Sequence, residues 1–336
     1  MNTSSENKIK RPKIIDALKA GFNTIANKPY LMTPPILVDL FLWFGPAWRV
    51  DSFFRPLIRS FSALPGLDNP EYAELFESFQ SIWTDIFSSL NLARSIRTIP
   101  IGVPSLIISK PPFLNPLGSP LVFNLDSSGS IIGLWLIFLL VGFFLGSLYF
   151  NNISNQIVDI HSDKDRGIKG LFTAYLQVIL MPILILVILL IASIPLILIL
   201  GAISLISPAV SQIIFLVMGF VLLWVILPLV FTPHGIFLYK QNLISAMMTS
   251  ISVVRTSMSQ TTWFIFSAFV LIEGLNYLWL SPAVDNWFLI VGIFGHAFIA
   301  SAVIAASFHY FLDATAFTQS VMNKKMMPVN ESMKKS

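Results

Sequence analysis

The chain has 336 residues, of which 55% are hydrophobic and only 11% charged, and its mean hydropathy is +0.77. Because a typical soluble domain carries about 25% charged residues, this composition excludes a single soluble core and predicts an integral membrane protein. The net charge of +4 lies in segments beside apolar runs, which favours anionic lipid headgroups over nucleic acid as the partner, and the absence of cysteine excludes disulfides and thiolate metal sites.

Six apolar runs are long enough to cross, as helices, the roughly 30 Å hydrocarbon core of a membrane. They cover residues 31–48, 131–150, 171–198, 209–231, 263–280 and 287–309. The first run contains Asp39 and three prolines, and the third contains Pro182 and Pro195, which predict a tilt or a kink. The predicted fold class is therefore an all-α membrane protein with about six transmembrane helices.

Short amphipathic segments precede three of these runs. A helical face before the first run carries Ile14, Ile15, Leu18, Phe22 and Ile25, and one before the fifth carries Leu243, Met247, Ile251, Val254 and Met258. A shorter segment, 157–169, precedes the third run. We expect each segment to lie in the inner interface of the membrane, so that the six helices form three hairpins, each with its interfacial segment.

Lysine and arginine residues in short loops are held on the cytoplasmic side of a membrane. They precede the first run and follow the second, fourth and sixth, whereas the turns 201–208 and 281–286 have none. Both termini of a multi-pass cell-membrane protein are therefore predicted to be cytoplasmic. The predicted order is a cytoplasmic amphipathic segment at 1–30, a first transmembrane helix at 31–50, an extracytoplasmic cap at 51–130, a five-helix remainder at 131–310 and a cytoplasmic basic tail at 311–336.

The outer segment contains the clearest amphipathic helix of the chain, predicted at 71–92. Nine apolar side chains recur there at helical spacing: Tyr72, Leu75, Phe76, Phe79, Ile82, Trp83, Ile86, Phe87 and Leu90. We expect the chain's own bundle to cover this aromatic face, with the outer leaflet or a partner protein as alternatives. Repeated prolines between 100 and 120 exclude a regular helix in the next stretch and favour extended or turn structure, which we expect to fold as a cap over the outer mouth of the bundle.

The run ISAMMTSISVVRTSMSQTTWFIF at 244–266 carries a resemblance. Through Ala246, Ser250, Val253, Val254 and Trp263, together with the number of helices, it resembles the segment before a late hairpin in bacterial six-helix membrane protein families of unknown function. These families include the membrane domain attached to some glycerophosphodiester phosphodiesterases. The resemblance implies a six-helix membrane domain, and no catalytic residue is transferred because the phosphodiesterase barrel is not in this sequence.

Three ionisable residues, Asp39, Glu273 and His296, lie well inside predicted spans. A carboxylate near the bilayer centre costs about 3 kcal/mol, so these side chains should face protein or water. They are the candidates for a substrate or proton pathway, and structural hydrogen bonds are the alternative. Glu273 and His296 lie at similar depths on neighbouring helices, which makes a direct contact between them feasible. His161 lies among three aspartates in a loop that we interpret as solvated.

The sequence lacks GxxxxGK[ST], GxSxG, HExxH and EF-hand patterns, so no catalytic residue, cofactor or metal is predicted and an enzyme is not expected. The interpretation that remains is a non-enzymatic membrane or envelope component that organises lipids or partner proteins. The alternative is a transporter or permease that uses Asp39, Glu273 and His296, which requires these three residues to line one cavity.

Overall fold

The computed structural model describes residues 11–61, 70–109, 114–157 and 167–333. The helices are α1 Ile14–Asn27, α2 Thr33–Phe44, α3 Asp51–Phe61, α4 Pro70–Ser89, α5 Ser128–Ile157, α6 Ile168–Ile206, α7 Pro208–Ile226, α8 Thr232–Leu238, α9 Leu243–Thr256, α10 Met258–Trp279 and α11 Leu289–Met333. Two short strands, β1 Ala47–Arg49 and β2 Val122–Asn124, pair in parallel with Ala47 opposite Val122. The predicted all-α class is confirmed.

Five helical stretches of the described chain are long and apolar enough to cross a membrane: Ser128–Ile157, Ile168–Ile206, Ala209–Leu238, Met258–Trp279 and Leu289–Lys324. They coincide with predicted runs two to six. The first run instead forms the shorter apolar helix Pro29–Phe44. It stops there because Pro46 disfavours a helical conformation at Gly45, whose backbone is extended and leads into β1.

The chain divides into two compact units. The first unit comprises Met1–Lys28, Phe150–Leu271 and Ser301–Ser336, and the second comprises Pro29–Tyr149 and Ile272–Ala300. Helices α5, α10 and α11 each contribute residues to both units.

In the first unit, α1 packs against α11 through small residues. A Cβ atom added at Gly21 would overlap the backbone of Ala302 and Ala306, so glycine is required for the two helices to approach this closely. The buried residues of α1 are Ala17, Gly21 and Ile25, whereas Ile15 on the predicted apolar face is 66% exposed. The predicted helix is confirmed, and Ile25 of its predicted apolar face is buried, but Ile15 of that face is exposed and the small residues Ala17 and Gly21 share the contact face.

Ser250 holds together the break between α7 and α8. Pro228 and Pro233 interrupt regular hydrogen bonding at this break, and α7 gives way to the 3₁₀ turn Leu227–Leu229 before α8 begins. The Ser250 hydroxyl, which is fully buried, donates to the Pro228 carbonyl oxygen at 2.6 Å and accepts from the Phe231 amide at 3.0 Å. One side chain of α9 therefore forms hydrogen bonds with two backbone groups that have no partner within the interrupted helix.

The second unit has its core in the proline-rich segment and the elements around it. Ile101, Val103, Leu106 and Ile107 are almost completely buried. On α5, a Cβ at Gly142 would overlap the carbonyl oxygen of Ile96, so the segment lies directly on the glycine face of that helix. As predicted, the described part of this stretch is folded without a regular α-helix and contains the 3₁₀ turn Ile107–Ser109. Another 3₁₀ turn, Leu92–Ile96, precedes it. Residues 110–113, with Pro111 and Pro112, lie outside the described residues.

Helix α4 confirms the helix predicted at 71–92, although it ends at Ser89. Its C-terminal end packs on α3, where the rings of Phe54 and Phe87 stack with centroids 4.0 Å apart. Further along the same stripe, Phe79, Ile82, Trp83 and Ile86 are exposed. The expectation that the chain's own bundle covers this face is therefore wrong for these four residues.

Replacing Ser250 with alanine should lower the free energy of unfolding by about 1–3 kcal/mol, because a buried carbonyl and a buried amide both lose their partner. The measurement is thermal unfolding of the full chain in detergent. Ser245→Ala, at an exposed position of the same helix, is the matched control and should melt with the parent protein. Equal melting temperatures for the two variants would contradict this role of Ser250.

Candidate functional site

Asp39 lies on α2 with its side chain fully buried. Its carboxylate accepts three hydrogen bonds from one turn: from the Ser105 hydroxyl at 2.5 Å, the Leu106 amide at 3.1 Å and the Ile107 amide at 3.0 Å. A carboxylate offers about four acceptor positions, so most of its capacity is already used within the protein. Asp39 therefore holds in place the turn formed by Ser105, Leu106 and Ile107. This is the structural role that the sequence offered as the alternative to a substrate or proton pathway.

His296 and Glu273 are linked through a residue that the sequence did not single out. His296 is 4% exposed, and its Nδ1 lies 2.8 Å from Oδ1 of Asn276. The Asn276 Nδ2 donates to Oε2 of Glu273 at 3.4 Å. The similar depths of Glu273 and His296 suggested a direct contact. In the structure the amide of Asn276 lies between the Glu273 carboxylate and the His296 imidazole and is hydrogen-bonded to both.

Asn276 could have been found from spacing alone. It follows Glu273 by three residues, and residues three apart in a helix share a face. An amide in an apolar span is also costly unless it has a hydrogen-bonding partner. Asparagine carries no charge, so Asn276 is not among the ionisable residues that stand out in an apolar span.

The amide orientation assigns the proton on the imidazole. Since Asn276 Nδ2 donates to Glu273, its Oδ1 accepts from His296 Nδ1–H. The other ring nitrogen, Nε2, is buried and has no hydrogen-bonding partner within the described residues. The hydrogen-bonded chain of Glu273, Asn276 and His296 therefore begins at the exposed carboxylate of Glu273 and ends at the buried Nε2 of His296, which carries a lone pair.

The structure separates the three predicted residues by the partners that they have. All three predicted residues belong to the second unit, where hydrogen bonds link Glu273 with His296 through Asn276, while those of Asp39 go to Ser105, Leu106 and Ile107. Asp39 is therefore a structural residue, whereas Glu273, Asn276 and His296 form a polar chain.

The remaining described histidines have structural partners in the first unit. His234 Nε2 lies 2.7 Å from the Ser307 hydroxyl, and His309 Nε2 lies 3.1 Å from the Thr24 hydroxyl. The loop of His161 lies outside the described residues. Among the residues that the structure does describe, no group of three histidine, aspartate or glutamate side chains is placed to hold a metal ion.

Two cavities of the described chain have polar linings. One, of about 480 Å³, lies in the first unit between the start of α6 and the end of α8, and is lined among others by Lys169, Lys240, Gln177 and Gln241. The second, of about 560 Å³, lies in the second unit beside α3 and is lined by Asp51, Ser52, Arg55, Pro56, Arg59 and Asn124. Its Arg55 is paired with Asp51. The lining of both cavities consists of residues other than Asp39, Glu273 and His296.

Comparison with protein-family models found no match, and comparisons with curated proteins and with solved structures found none either. The resemblance of 244–266 to six-helix membrane families therefore stays a prediction. Four of the five residues that carry it, Ala246, Ser250, Val253 and Val254, form the buried face of α9.

Replacing Asp39 with asparagine should lower the free energy of unfolding by about 2 kcal/mol or more, because three donors lose a charged acceptor. Asp126→Asn, at an exposed position of the same unit, is the control and should change stability by less than about 0.5 kcal/mol. Thermal unfolding in detergent gives both values. An Asp39 variant as stable as the control would show that these hydrogen bonds contribute little.

A thermal-stability cycle with Asn276→Ala, His296→Ala and the double variant should give a coupling energy of about 0.5–3 kcal/mol, because these side chains are in direct contact. The parallel cycle with Glu273→Gln and His296→Ala should give a smaller coupling, since Asn276 lies between the two. A larger coupling for Glu273 with His296 than for Asn276 with His296 would contradict the order of this chain.

Proposed function

We propose that this protein is a non-enzymatic component of the cell membrane that organises lipids or partner proteins, with both termini in the cytoplasm. The observation that carries the proposal is the exposure of the hairpin formed by α6 and α7. Within the described chain, the most apolar 18-residue stretch of α6 contains no buried residue, and only 6% of the corresponding stretch of Ala209–Leu238 is buried. A surface this apolar requires lipid or another protein around it.

The length of the hairpin supports the same conclusion. Helix α6 has 39 residues and at about 1.5 Å per residue is roughly 58 Å long, almost twice the hydrocarbon thickness of about 30 Å. Observed tilts of about 0–40° shorten its projection by a quarter at most. Apolar side chains near its end, such as Leu205 and Ile206, are nevertheless highly exposed. Local thickening of the bilayer or a partner protein would cover them, and both are forms of organisation in the membrane.

A second apolar surface lies on α4, in the segment predicted to be extracytoplasmic. Phe79, Ile82, Trp83 and Ile86 form an exposed stripe of the kind found on helices that lie on a leaflet or bind a partner protein. The protein therefore offers two separate apolar surfaces, one within the membrane and one predicted outside it.

The buried polar residues are consistent with a structural component. Asp39 accepts three internal hydrogen bonds, and Ser250 satisfies two backbone groups of an interrupted helix. Such contacts stabilise a fold and leave few polar groups free to coordinate a solute. This favours organisation of the membrane over passage of a substrate through the protein.

The alternative function is that of a transporter or permease. One specific observation favours it: Glu273, Asn276 and His296 form a polar chain from an exposed carboxylate to a buried imidazole, and such chains mark proton relays in pumps and transporters.

Photo-crosslinking in membranes tests the proposed function. A crosslinking amino acid at Ile191 or Phe215, both exposed, should yield lipid adducts or discrete protein adducts, because these positions have little of their own chain around them. The same residue at Val178, which lies on α6 and is fully buried, is the matched control and should yield mainly internal products. Equal external adducts from all three positions would show that the exposed hairpin face has no special role.

A proton-flux measurement distinguishes the two functions. The protein is reconstituted in liposomes that contain a pH-sensitive dye. The proposed function requires that an imposed membrane potential drives no proton flux above that of empty liposomes. A flux that His296→Ala removes would overturn the proposed function in favour of the permease.

A further inference from the structure

We propose that α4 lies along the surface of the membrane and inserts its exposed apolar stripe among the phospholipids of the leaflet predicted to be the outer one. This inference rests on the proposed function and commits one of its two apolar surfaces to a single occupant, the region between lipid headgroups and acyl chains. The elements that support it extend from α2 to the start of α5 and include the turn between α10 and α11. All of them belong to the second unit.

The apolar stripe of α4 is continuous over about three turns. Four aromatic rings follow one another along it, with centroids 6.1, 5.8 and 5.5 Å apart, and they belong to Phe76, Phe79, Trp83 and Phe87. Ile82 and Ile86 lie on the same side of the helix and are exposed, as are Phe79 and Trp83. A continuous apolar surface of this kind is stabilised when lipid or another protein removes it from water.

The opposite face of α4 is suited to water. Glu77, Ser81 and Asp85 are exposed, and at about 100° per residue they lie on the side of the helix away from the aromatic rings. One apolar and one charged face are typical of a helix that lies in the plane of the membrane interface. Because Glu77 and Asp85 are both acidic, we expect insertion to depend on the apolar stripe, so that neutral phospholipid is sufficient.

The C-terminal end of α4 is attached to β1. Asn91 follows the helix by two residues and is buried. Its side-chain oxygen accepts from the backbone amide of Trp48 at 3.0 Å and from that of Ala93 at 3.1 Å. Arg49 and Asn91 also form an antiparallel bridge. The position of β1 therefore determines the level from which α4 extends.

Strand β1 packs against α5, a helix long and apolar enough to cross the membrane. The Trp48 ring contacts Phe138 of α5 edge to face, with centroids 4.9 Å apart, and stacks with Phe123 of β2 at 6.0 Å. β1 begins shortly after α2 ends, and β2 ends shortly before α5 begins. The two strands therefore lie where α2 and α5 meet the loops.

Tryptophan side chains indicate that this end of the second unit lies at the membrane–water interface. Trp43, near the end of α2, donates from Nε1 to the Val284 carbonyl oxygen at 2.7 Å. Its ring also contacts Trp287, with centroids 6.2 Å apart. Val284 and Trp287 lie in the turn between α10 and α11. Because tryptophan is enriched where spans meet the headgroups, Trp43, Trp48 and Trp287 place the attached end of α4 at headgroup depth.

Exposed apolar surface at this end of the unit favours lipid as the occupant. Ile132, Trp135 and Leu136 are exposed in the first turns of α5, and Val122 and Phe123 are exposed on β2, which leads into α5. Lipid covers such side chains at the end of a span. If α4 lies along the membrane, its stripe continues this surface, whereas a 20-residue helix pointing away from the membrane would hold the stripe in water. The first arrangement is favoured because it removes apolar surface from water.

Spin labels on the full chain in phosphatidylcholine nanodiscs test the inference. The chain contains no cysteine, so each single-cysteine variant carries one label. In Ile82→Cys and Ile86→Cys the label should lie about 5–10 Å deep in the region between headgroups and acyl chains. There it collides often with oxygen and rarely with a water-soluble nickel complex. Glu77→Cys and Ser81→Cys, on the polar face, are the matched controls and should collide often with the nickel complex.

A second pair of variants tests whether the stripe holds the helix in the leaflet. Adding Ile82→Glu to the chain labelled at position 86 should move the label toward water, because a carboxylate is costly in an apolar environment. Ser81→Glu, at an exposed position of the polar face, is the matched control and should leave the depth of the label unchanged.

Three results would overturn the inference. Frequent collisions with the nickel complex at positions 82 and 86 would place the stripe in water, and rare collisions with both reagents would show that protein covers it. A label depth that Ile82→Glu leaves unchanged would show that the stripe does not hold the helix. If external adducts from Ile191 and Phe215 persist in any of these cases, the inference fails and the proposed function stands. If those adducts are absent and a proton flux is found, the proposed function fails as well.

Discussion

A backbone amide or carbonyl that is removed from water must find its hydrogen-bonding partner inside the protein, and the rest of this structure depends on how that requirement is met. Regular helices meet it along most of the chain. At the irregular points, single polar side chains replace the missing backbone partners: Asp39 at the turn before Ile107–Ser109, and Ser250 between α7 and α8. The residues that look most unusual in an apolar sequence are therefore the ones that allow the chain to depart from a simple helix.

This distribution of polar groups bears on function. Where a carboxylate or hydroxyl already has all or most of its hydrogen bonds within the protein, little of it remains for a solute. The polar chain from Glu273 to His296 is different, because it ends in an unpaired ring nitrogen among the described residues. The two functional hypotheses thus correspond to two kinds of polar residue, and the proposed function also draws on the exposed surface of α6 and α7.

Small residues set the distances between elements. Gly21 allows α1 to touch the backbone of α11, and Gly142 allows the segment before Ile101 to lie on α5. Without a strong hydrophobic drive between helices in lipid, close backbone approach is a main source of attraction. The same contact explains why the small residues Ala17 and Gly21 are buried on α1 beside Ile25, whereas Ile15 of the predicted apolar face is exposed.

The sequence by itself determined the membrane class, five of the spanning helices and the helix at 71–92, because hydropathy and periodicity are local properties that read directly from neighbouring residues. It also singled out Asp39, Glu273 and His296, since a charge in an apolar run is conspicuous. It overestimated the first span, where Pro46 ends the helix early, and it missed Asn276, which has no charge.

Only the tertiary structure decided which partner each polar group has. Asp39 and Leu106 are 67 residues apart in the chain, and no local pattern connects them. The cavity of Lys169 and Lys240 likewise exists only because α6 and α8 lie side by side. Periodicity shows which residues share a face of one helix, but the contact between two elements depends on how closely their backbones approach, and that is a property of the folded chain.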